Sequence, residues 1–346
     1  MRIAIVNDML LAVECLRRAL ASSGEHEIAW IARDGEEAVA KAIADSPELI
    51  LMDLFMPKMG GVEATQEIMR RKPCPILIVT GDIDQHAGAA FEAMGAGALD
   101  AINTPVCGDA QASMLVRDLL GKIDTIRRLS RYQSVTLPTL RDAPADYLHP
   151  GPLPPLVVIG ASSGGPQALA DLLAALPREP GAAFVVVQHV DAQFAPALAE
   201  WLGQRTELRV ATAKEGDQPA LGTVLVAATN DHIICDEKHS LRYTPWPLNN
   251  VYRPSVDVFF SSVACNWQHP VLGILLTGMG YDGAEGLLAL KNAGHMTLAQ
   301  DQASCAVFGM PKAAMQLGAA SKMVPLSELG AEISAWAQMQ CEPVEE

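Results

Sequence analysis

The chain contains no apolar run approaching the ~20 residues needed to span a bilayer, so no membrane insertion is expected. Basic charge is scarce: 25 Lys and Arg against 40 Asp and Glu leave a net charge of -15. Surfaces that bind nucleic acid or anionic lipid are rich in Lys and Arg, so neither partner is expected, and the acidic surplus is read as solubility. The seven cysteines (Cys15, Cys74, Cys107, Cys235, Cys265, Cys305 and Cys341) form no C-x-x-C pair and no Cys/His cluster of zinc spacing. A structural zinc site is therefore not expected, and reduced thiols are. A charged leader followed by a hydrophobic stretch is also missing, because Met1 runs directly into the strand-like Arg2–Val6. A cytoplasmic location is the expectation.

What is present is a two-part α/β rhythm. A length of 346 residues suggests about two domains of ~150 residues, and with half the residues hydrophobic both cores can be filled. Residues 1–127 alternate apolar strand runs (Ile3–Val6, Ile28–Ala32, Leu49–Met52, Ile76–Thr80, Leu99–Ile102) with helical stretches such as Leu10–Ala21, Glu36–Asp45 and Val62–Arg71. That order predicts a doubly wound, flavodoxin-like parallel sheet. Residues 128–155 are rich in proline and read as a semi-rigid linker. A second α/β parallel-sheet domain is expected over 156–342, with strands at Leu156–Gly160, Phe184–His189, Thr223–Ala227, Val271–Leu276 and Met296–Ala299. Ile233–Cys235 and Ser240–Thr244 are expected to form an antiparallel hairpin.

In the first domain Asn7 and Asp8 end one strand, Asp53 ends the third and Thr80 ends the fourth, so all four gather on one sheet edge. Asp8 and Asp53 are candidate ligands of Mg²⁺, a hard ion that takes carboxylate oxygen, and Thr80 is a candidate donor to a phosphoryl oxygen. With Asp53-Leu54-Phe55-Met56-Pro57, Gly60-Gly61 and Thr104-Pro105, this edge resembles a response-regulator receiver domain. The resemblance implies phosphorylation of Asp53 by a CheA-type histidine kinase, with Mg²⁺ in the receiver pocket. Two positions depart from that pattern. Asn7 stands where a second acidic ligand is usual, and Thr104 stands where a lysine is usual.

In the second domain three strand runs lead to chemically useful residues: Ser162 just past Leu156–Gly160, His189 just past Phe184–Gln188, and Asp282 past Val271–Thr277 and the Gly278-Met279-Gly280 turn. Open parallel sheets bind ligands at the carboxyl ends of their strands, and a hydroxyl, an imidazole and a carboxylate there can serve as nucleophile, base and orienting group. Ser162 lies in Gly160-Ala161-Ser162-Ser163-Gly164-Gly165-Pro166, a strand, turn and helix start; either serine could alternatively cap that helix. N–H groups in this turn, Gly164 among them, and that of Met279 in the Gly278-Met279-Gly280 turn are oxyanion candidates. Gly160–Gly164 also spells the G-x-S-x-G elbow of α/β-hydrolases, which would need His295 as base; His295 falls in a helix-to-strand loop at the opposite sheet edge, which disfavours that reading. Trp246 and Trp267 are read as packing residues.

These residues, with Gln188–His189, Tyr252-Arg253-Pro254-Ser255-Val256-Asp257 and Thr277–Gly283, resemble the CheB family of chemotaxis-type protein-glutamate methylesterases over nearly the whole chain. The Asn-Asp and Asn-Thr-Pro receiver signatures resemble its Wsp-pathway branch. The resemblance implies a receiver-regulated serine hydrolase that needs no cofactor for catalysis. Ser162 would attack a glutamate γ-methyl ester on a methyl-accepting receptor, with His189 as base and Asp282 as orienter, and glutamine deamidation would run in parallel. Arg253 is a candidate contact to the acidic receptor helix, or the partner of a residue such as Asp257 in an ion pair. Two other functions compete: a signalling scaffold, which would not need the Ser, His and Asp set, and a small-molecule esterase, which would need an apolar lid insertion absent from the sequence.

Overall fold

The computed structural model describes residues 1–81, 83–105, 110–129 and 153–341. The chain forms two compact units, one before and one after segment 130–152. Most of the expected linker lies outside the described residues.

The first unit runs β1 (Arg2–Val6), α1 (Leu10–Ser23), β2 (Glu27–Ala32), α2 (Gly35–Ala44), β3 (Leu49–Met52), α3 (Gly61–Arg71), β4 (Ile76–Thr80), α4 (Ile83–Gly95), β5 (Asp100–Asn103) and α5 (Ala110–Leu129). Its five strands are parallel, in the order β2-β1-β3-β4-β5. The strands are short apolar runs because helices cover both faces of such a sheet. Ile3, Ile5, Leu49, Leu51, Leu77 and Val79 form the core with Leu16, Leu20, Leu119 and Ile123 of the helices. The chain leaves β1 in one direction to β2 and returns to the other side at β3. The crevice of this sheet therefore opens between the ends of β1 and β3, where Asn7, Asp8 and Asp53 stand.

The second unit runs β6 (Leu156–Ala161), α6 (Gly165–Ala174), β7 (Ala183–Gln188), α7 (Ala195–Gly203), β8 (Arg209–Thr212), β9 (Thr223–Val226), β10 (His232–Cys235), β11 (Leu241–Thr244), α8 (Val256–Asn266), β12 (Val271–Leu275), α9 (Ala284–Asn292), β13 (Met296–Gln300), α10 (Met310–Gln316), β14 (Lys322–Val324) and α11 (Leu326–Cys341). Seven parallel strands are ordered β14-β13-β12-β6-β7-β9-β8, and β10 and β11 form the expected antiparallel hairpin. The central strands β6, β7 and β12 are buried along their whole length. Here the direction reverses between β6, which leads toward β7, and β12, which leads toward β13 and β14. This switch point is the expected ligand crevice.

β8 and β14 are not among the expected strands. Both are edge strands of three or four residues without a continuous apolar run, so no burial signal marks them. Neither serine caps α6. Its N-cap is Gly164, in the left-handed region at φ 80°, with no side-chain cap. Among the described residues Cys74, Cys235, Cys265 and Cys305 are free thiols, whereas Cys15 is disulfide-bonded, so the expectation of reduced thiols fails at Cys15.

Candidate active site

Strand register brings the three chemical residues together. Ala161 of β6 is paired with Gln188 of β7, so Ser162 and His189 are the next residues on adjacent parallel strands, which lie about 4.8 Å apart. The His189 N–H donates to the Ala161 carbonyl at 3.0 Å, and the Ser162 N–H donates to the Thr277 carbonyl beyond β12 at 3.1 Å. The buried Gln188 amide donates to the carbonyls of Ser162 (2.9 Å) and His189 (3.1 Å), tying the two strand ends together. The loop after β12 passes directly over Ser162: a Cβ on Gly278 would lie 2.8 Å from Ser162 Cβ and 2.2 Å from Met310 Sδ. Only glycine fits that approach.

His189 Nε2 meets Asp282 Oδ2 at 2.7 Å. Nδ1 is therefore the ring nitrogen left for the serine. Asp282 is 1 % exposed and saturated with donors: Ser255 Oγ (2.8 Å) and the N–H groups of Val256 (2.6 Å) and Asp257 (3.1 Å), besides His189. Those N–H groups begin α8, so the carboxylate also sits on the positive end of a helix dipole. Burial alone would raise its proton affinity, but His189, the Val256 N–H and the Ser255 hydroxyl together hold it below the usual carboxylate range. Asp282 is thus an anion at neutral pH, placed to keep a proton on Nε2.

Tyr252 stacks on the His189 ring, with centroids 4.9 Å apart and planes 18° from parallel. Its hydroxyl accepts from the Tyr281 N–H at 3.3 Å. Tyr252 therefore links the imidazole to the turn that carries Met279 and Asp282. Among the described residues no acceptor meets the N–H groups of Gly164 or Met279, so both are free to donate at this edge.

Sequence reasoning named Ser162, His189, Asp282, Gly164 and Met279, and the structure places all five at the β12–β6–β7 edge. His295 immediately precedes β13 and so lies at the opposite edge, as expected. Arg253 does not pair with Asp257. It donates to the Asn230 carbonyl (3.1 Å) and the Asp231 carboxylate (2.7 Å), because its loop runs beside the one leading into β10, whereas Asp257 faces inward from α8. Trp267 is buried and Trp246 is largely exposed. Gln188, Tyr252 and Ser255 stand in motifs that the sequence marks, but the tie made by Gln188, the stacking of Tyr252 and the hydrogen bond from Ser255 to Asp282 are visible only in the structure. Serine before an apolar run does signal a helix start at Ser255, but nothing local shows that Asp282 shares that helix end.

In the first unit the Asn7 amide donates to Asp53 Oδ2 at 3.0 Å, and the Leu54 N–H donates to Oδ1 at 2.8 Å. Burial, with the Asp8 charge close by, pushes the Asp53 carboxyl up to about 6 despite hydrogen bonds from Leu54, Phe55 and Thr80. Thr104 is tied by its N–H to the Thr80 carbonyl at 2.8 Å. Asn7 spends its amide on Asp53 and its carbonyl on the Met9 N–H (2.8 Å), so it supplies no third carboxylate. Two carboxylates, Asp8 beyond β1 and Asp53 beyond β3, are a donor set that suits one hard cation.

The family comparisons agree with this division. The CheB methylesterase family matches residues 157–333 and the response regulator receiver domain matches residues 3–113. A protein-glutamate methylesterase/protein-glutamine glutaminase of Burkholderia thailandensis is 50% identical over 98% of this chain and 98% of its own length. One from Cupriavidus metallidurans is 52% identical over 95% of this chain and 96% of its own length. The crystal structure of the Thermotoga maritima CheB methylesterase catalytic domain, 31% identical, superposes with a TM-score of 0.51 over 53% of this chain and 98% of that domain. A serine, histidine and aspartate at one sheet edge, a receiver unit ahead of them and relatives matching end to end together place the chain in the CheB methylesterase family.

Proposed function

We propose that this protein is a receiver-regulated protein-glutamate methylesterase and protein-glutamine glutaminase acting in the cytoplasm on methyl-accepting receptor proteins. The observation that carries the reading is the 2.7 Å contact between His189 Nε2 and a buried, donor-saturated Asp282, one strand away from an uncapped serine. A binding scaffold has no use for that arrangement.

The reaction follows from the groups in place. His189 Nδ1 takes the proton of Ser162 Oγ as the oxygen attacks the γ-carbonyl of a methylated glutamate. The N–H groups of Met279 and Gly164 would hold the oxyanion of the tetrahedral intermediate. Asp282 stays ionised and stabilises the imidazolium. His189 returns the proton to the departing methoxide, so methanol leaves and an acyl-serine remains. Water, deprotonated by the same imidazole, then releases glutamate and Ser162. With a glutamine amide the leaving group is ammonia.

Asp53 is the proposed site of phosphorylation by a CheA-type histidine kinase. Asp8 and Asp53 would hold Mg²⁺, whose charge offsets that of the phosphoryl oxygens. Thr80 is positioned to donate to those oxygens, and Thr104 brings a hydroxyl without a charge. The Asn7 and Thr104 pair supports placement in the Wsp-pathway branch. The Arg253 guanidinium, anchored by Asp231, is the proposed contact to an acidic receptor helix. The test is methanol release from methylated receptor membranes. Release by the wild type and none by Ser162→Ala supports the reading; equal release by both overturns it.

A further inference from the structure

We propose that Asp257 is a positioning residue for this hydrolytic site: through a reciprocal cap between α8 and α9 it fixes the Asp282 carboxylate opposite His189. The inference rests on the hydrolase reading above. Every helix leaves its first N–H groups without intrahelical acceptors. At α8 these are met from outside. Val256 and Asp257 donate to Asp282, and Val258 donates to Ser255 Oγ at 3.3 Å. At α9 the N-cap is Gly283, at φ 87°, which has no side chain to offer. The acceptor comes from α8: the Gly286 N–H donates to Asp257 Oδ1 at 2.7 Å. Each aspartate thus caps the helix that the other belongs to or introduces.

The two helices approach closely enough for this only because residue 286 is glycine. A Cβ there would lie 2.9 Å from both Asp257 Cα and the Asp257 carbonyl oxygen. Asp257 is 4 % exposed and Asp282 is 1 % exposed, so two carboxyl groups share one dry site. Two such neighbours cannot both ionise cheaply. Burial and the Asp282 charge push the Asp257 carboxyl well above the usual range, with the Asp282 carboxylate in hydrogen-bonding reach, whereas Asp282 is held low by His189. Glu285, Tyr252 and His232 are the other titratable groups facing the pair. The pair therefore carries one negative charge, on the member that faces the base. Asp257 serves as a neutral acid that accepts from Gly286 and can donate to Asp282.

Asparagine reproduces a neutral acid: one oxygen for Gly286 and one donor for Asp282. The full chain as Asp257→Asn should keep kcat within about threefold of wild type and leave the acid limb of the pH–rate profile in place. Asp257→Leu, which removes both contacts, should lower kcat by about tenfold or more with little change in KM, as expected for a lost buried hydrogen bond that acts through orientation. Amide hydrogen exchange gives a readout independent of activity: Val256 and Gly286 should exchange faster in Asp257→Leu and at the wild-type rate in Asp257→Asn. If Asp257→Leu keeps wild-type kcat and protection, the positioning role is wrong. An Asp257→Asn variant as damaged as Asp257→Leu, or one with its acid limb displaced, shows Asp257 to be ionised and overturns the neutral-acid account. A wild type that releases no methanol removes the hydrolase reading, while the exchange data still decide whether Asp257 holds the Asp282 turn.

Discussion

Replacing Asp282 with asparagine isolates the charge at the centre of the site. The carboxylate oxygens divide their work: Oδ1 accepts from Ser255 Oγ and the Asp257 N–H, Oδ2 from His189 Nε2 and the Val256 N–H. Asparagine keeps one oxygen. If that oxygen stays at Oδ1, the new NH₂ faces His189 and the Val256 N–H, and two charge-assisted bonds of about 1.5–3 kcal/mol each are lost. The Val256 share falls on folding stability. The His189 share falls on the transition state, where it corresponds to about 10–150-fold in kcat. A second effect adds to it. An NH₂ opposite Nε2 favours the tautomer protonated on Nδ1, the nitrogen that has to accept the serine proton, and a wrong tautomer of this kind can carry the loss toward ~10⁴-fold. Methanol release measures kcat, and denaturant unfolding measures the stability share. An Asp282→Asn enzyme within about threefold of wild-type kcat would refute the assignment of Asp282 as orienter.

Ser162→Ala should reduce esterase activity roughly a thousandfold or more without unfolding the protein, while Ser163→Ala remains active; the reverse pattern in a methanol-release assay would move the nucleophile to Ser163. Mg²⁺ binding to the metal-free receiver, read by titration calorimetry, should weaken as pH drops through about 6, because a protonated Asp53 carboxyl does not take a cation; unchanged affinity from pH 5 to pH 8 would contradict this. The same raised carboxyl means that the folded receiver binds the extra proton, so its stability should decline as pH rises from about 4 to about 6, and thermal unfolding of Asp53→Asn should not show that decline. Thr104→Lys should strengthen activation of the esterase by phosphodonor, since it adds a fixed cation for the phosphoryl group worth about 1.5–3 kcal/mol, and activation surviving in Asp53→Ala would show that Asp53 is not the switch.

The amino-acid sequence determined the existence and type of the central elements. Leu156–Ala161, Ala183–Gln188 and Val271–Leu275 are strands buried on both faces, and that burial writes itself into the chain as continuous apolar runs. Two of these runs stop directly before Ser162 and His189, and the third, β12, leads through the Gly278-Met279-Gly280 turn to Asp282, so all three stand out as polar residues beyond apolar runs. The receiver residues Asp8, Asp53 and Thr80 are legible for the same reason. The order of the strands is not local information. That β12 lies against β6 and not beyond β9 is a matter of which faces pack together, and it alone brings Asp282 to His189 across 93 positions of sequence. The caps show the same division. Ser255 announces a helix start and accepts from the Val258 N–H, but the acceptor for the Val256 and Asp257 N–H groups is Asp282, 27 residues on from Ser255, and Arg253 chose Asp231, 22 residues back, over the nearby Asp257. Burial decided these pairings: a dry site admits one carboxylate beside the base, holds the second carboxyl neutral against α9, and leaves the guanidinium to find its counter-charge nearer solvent.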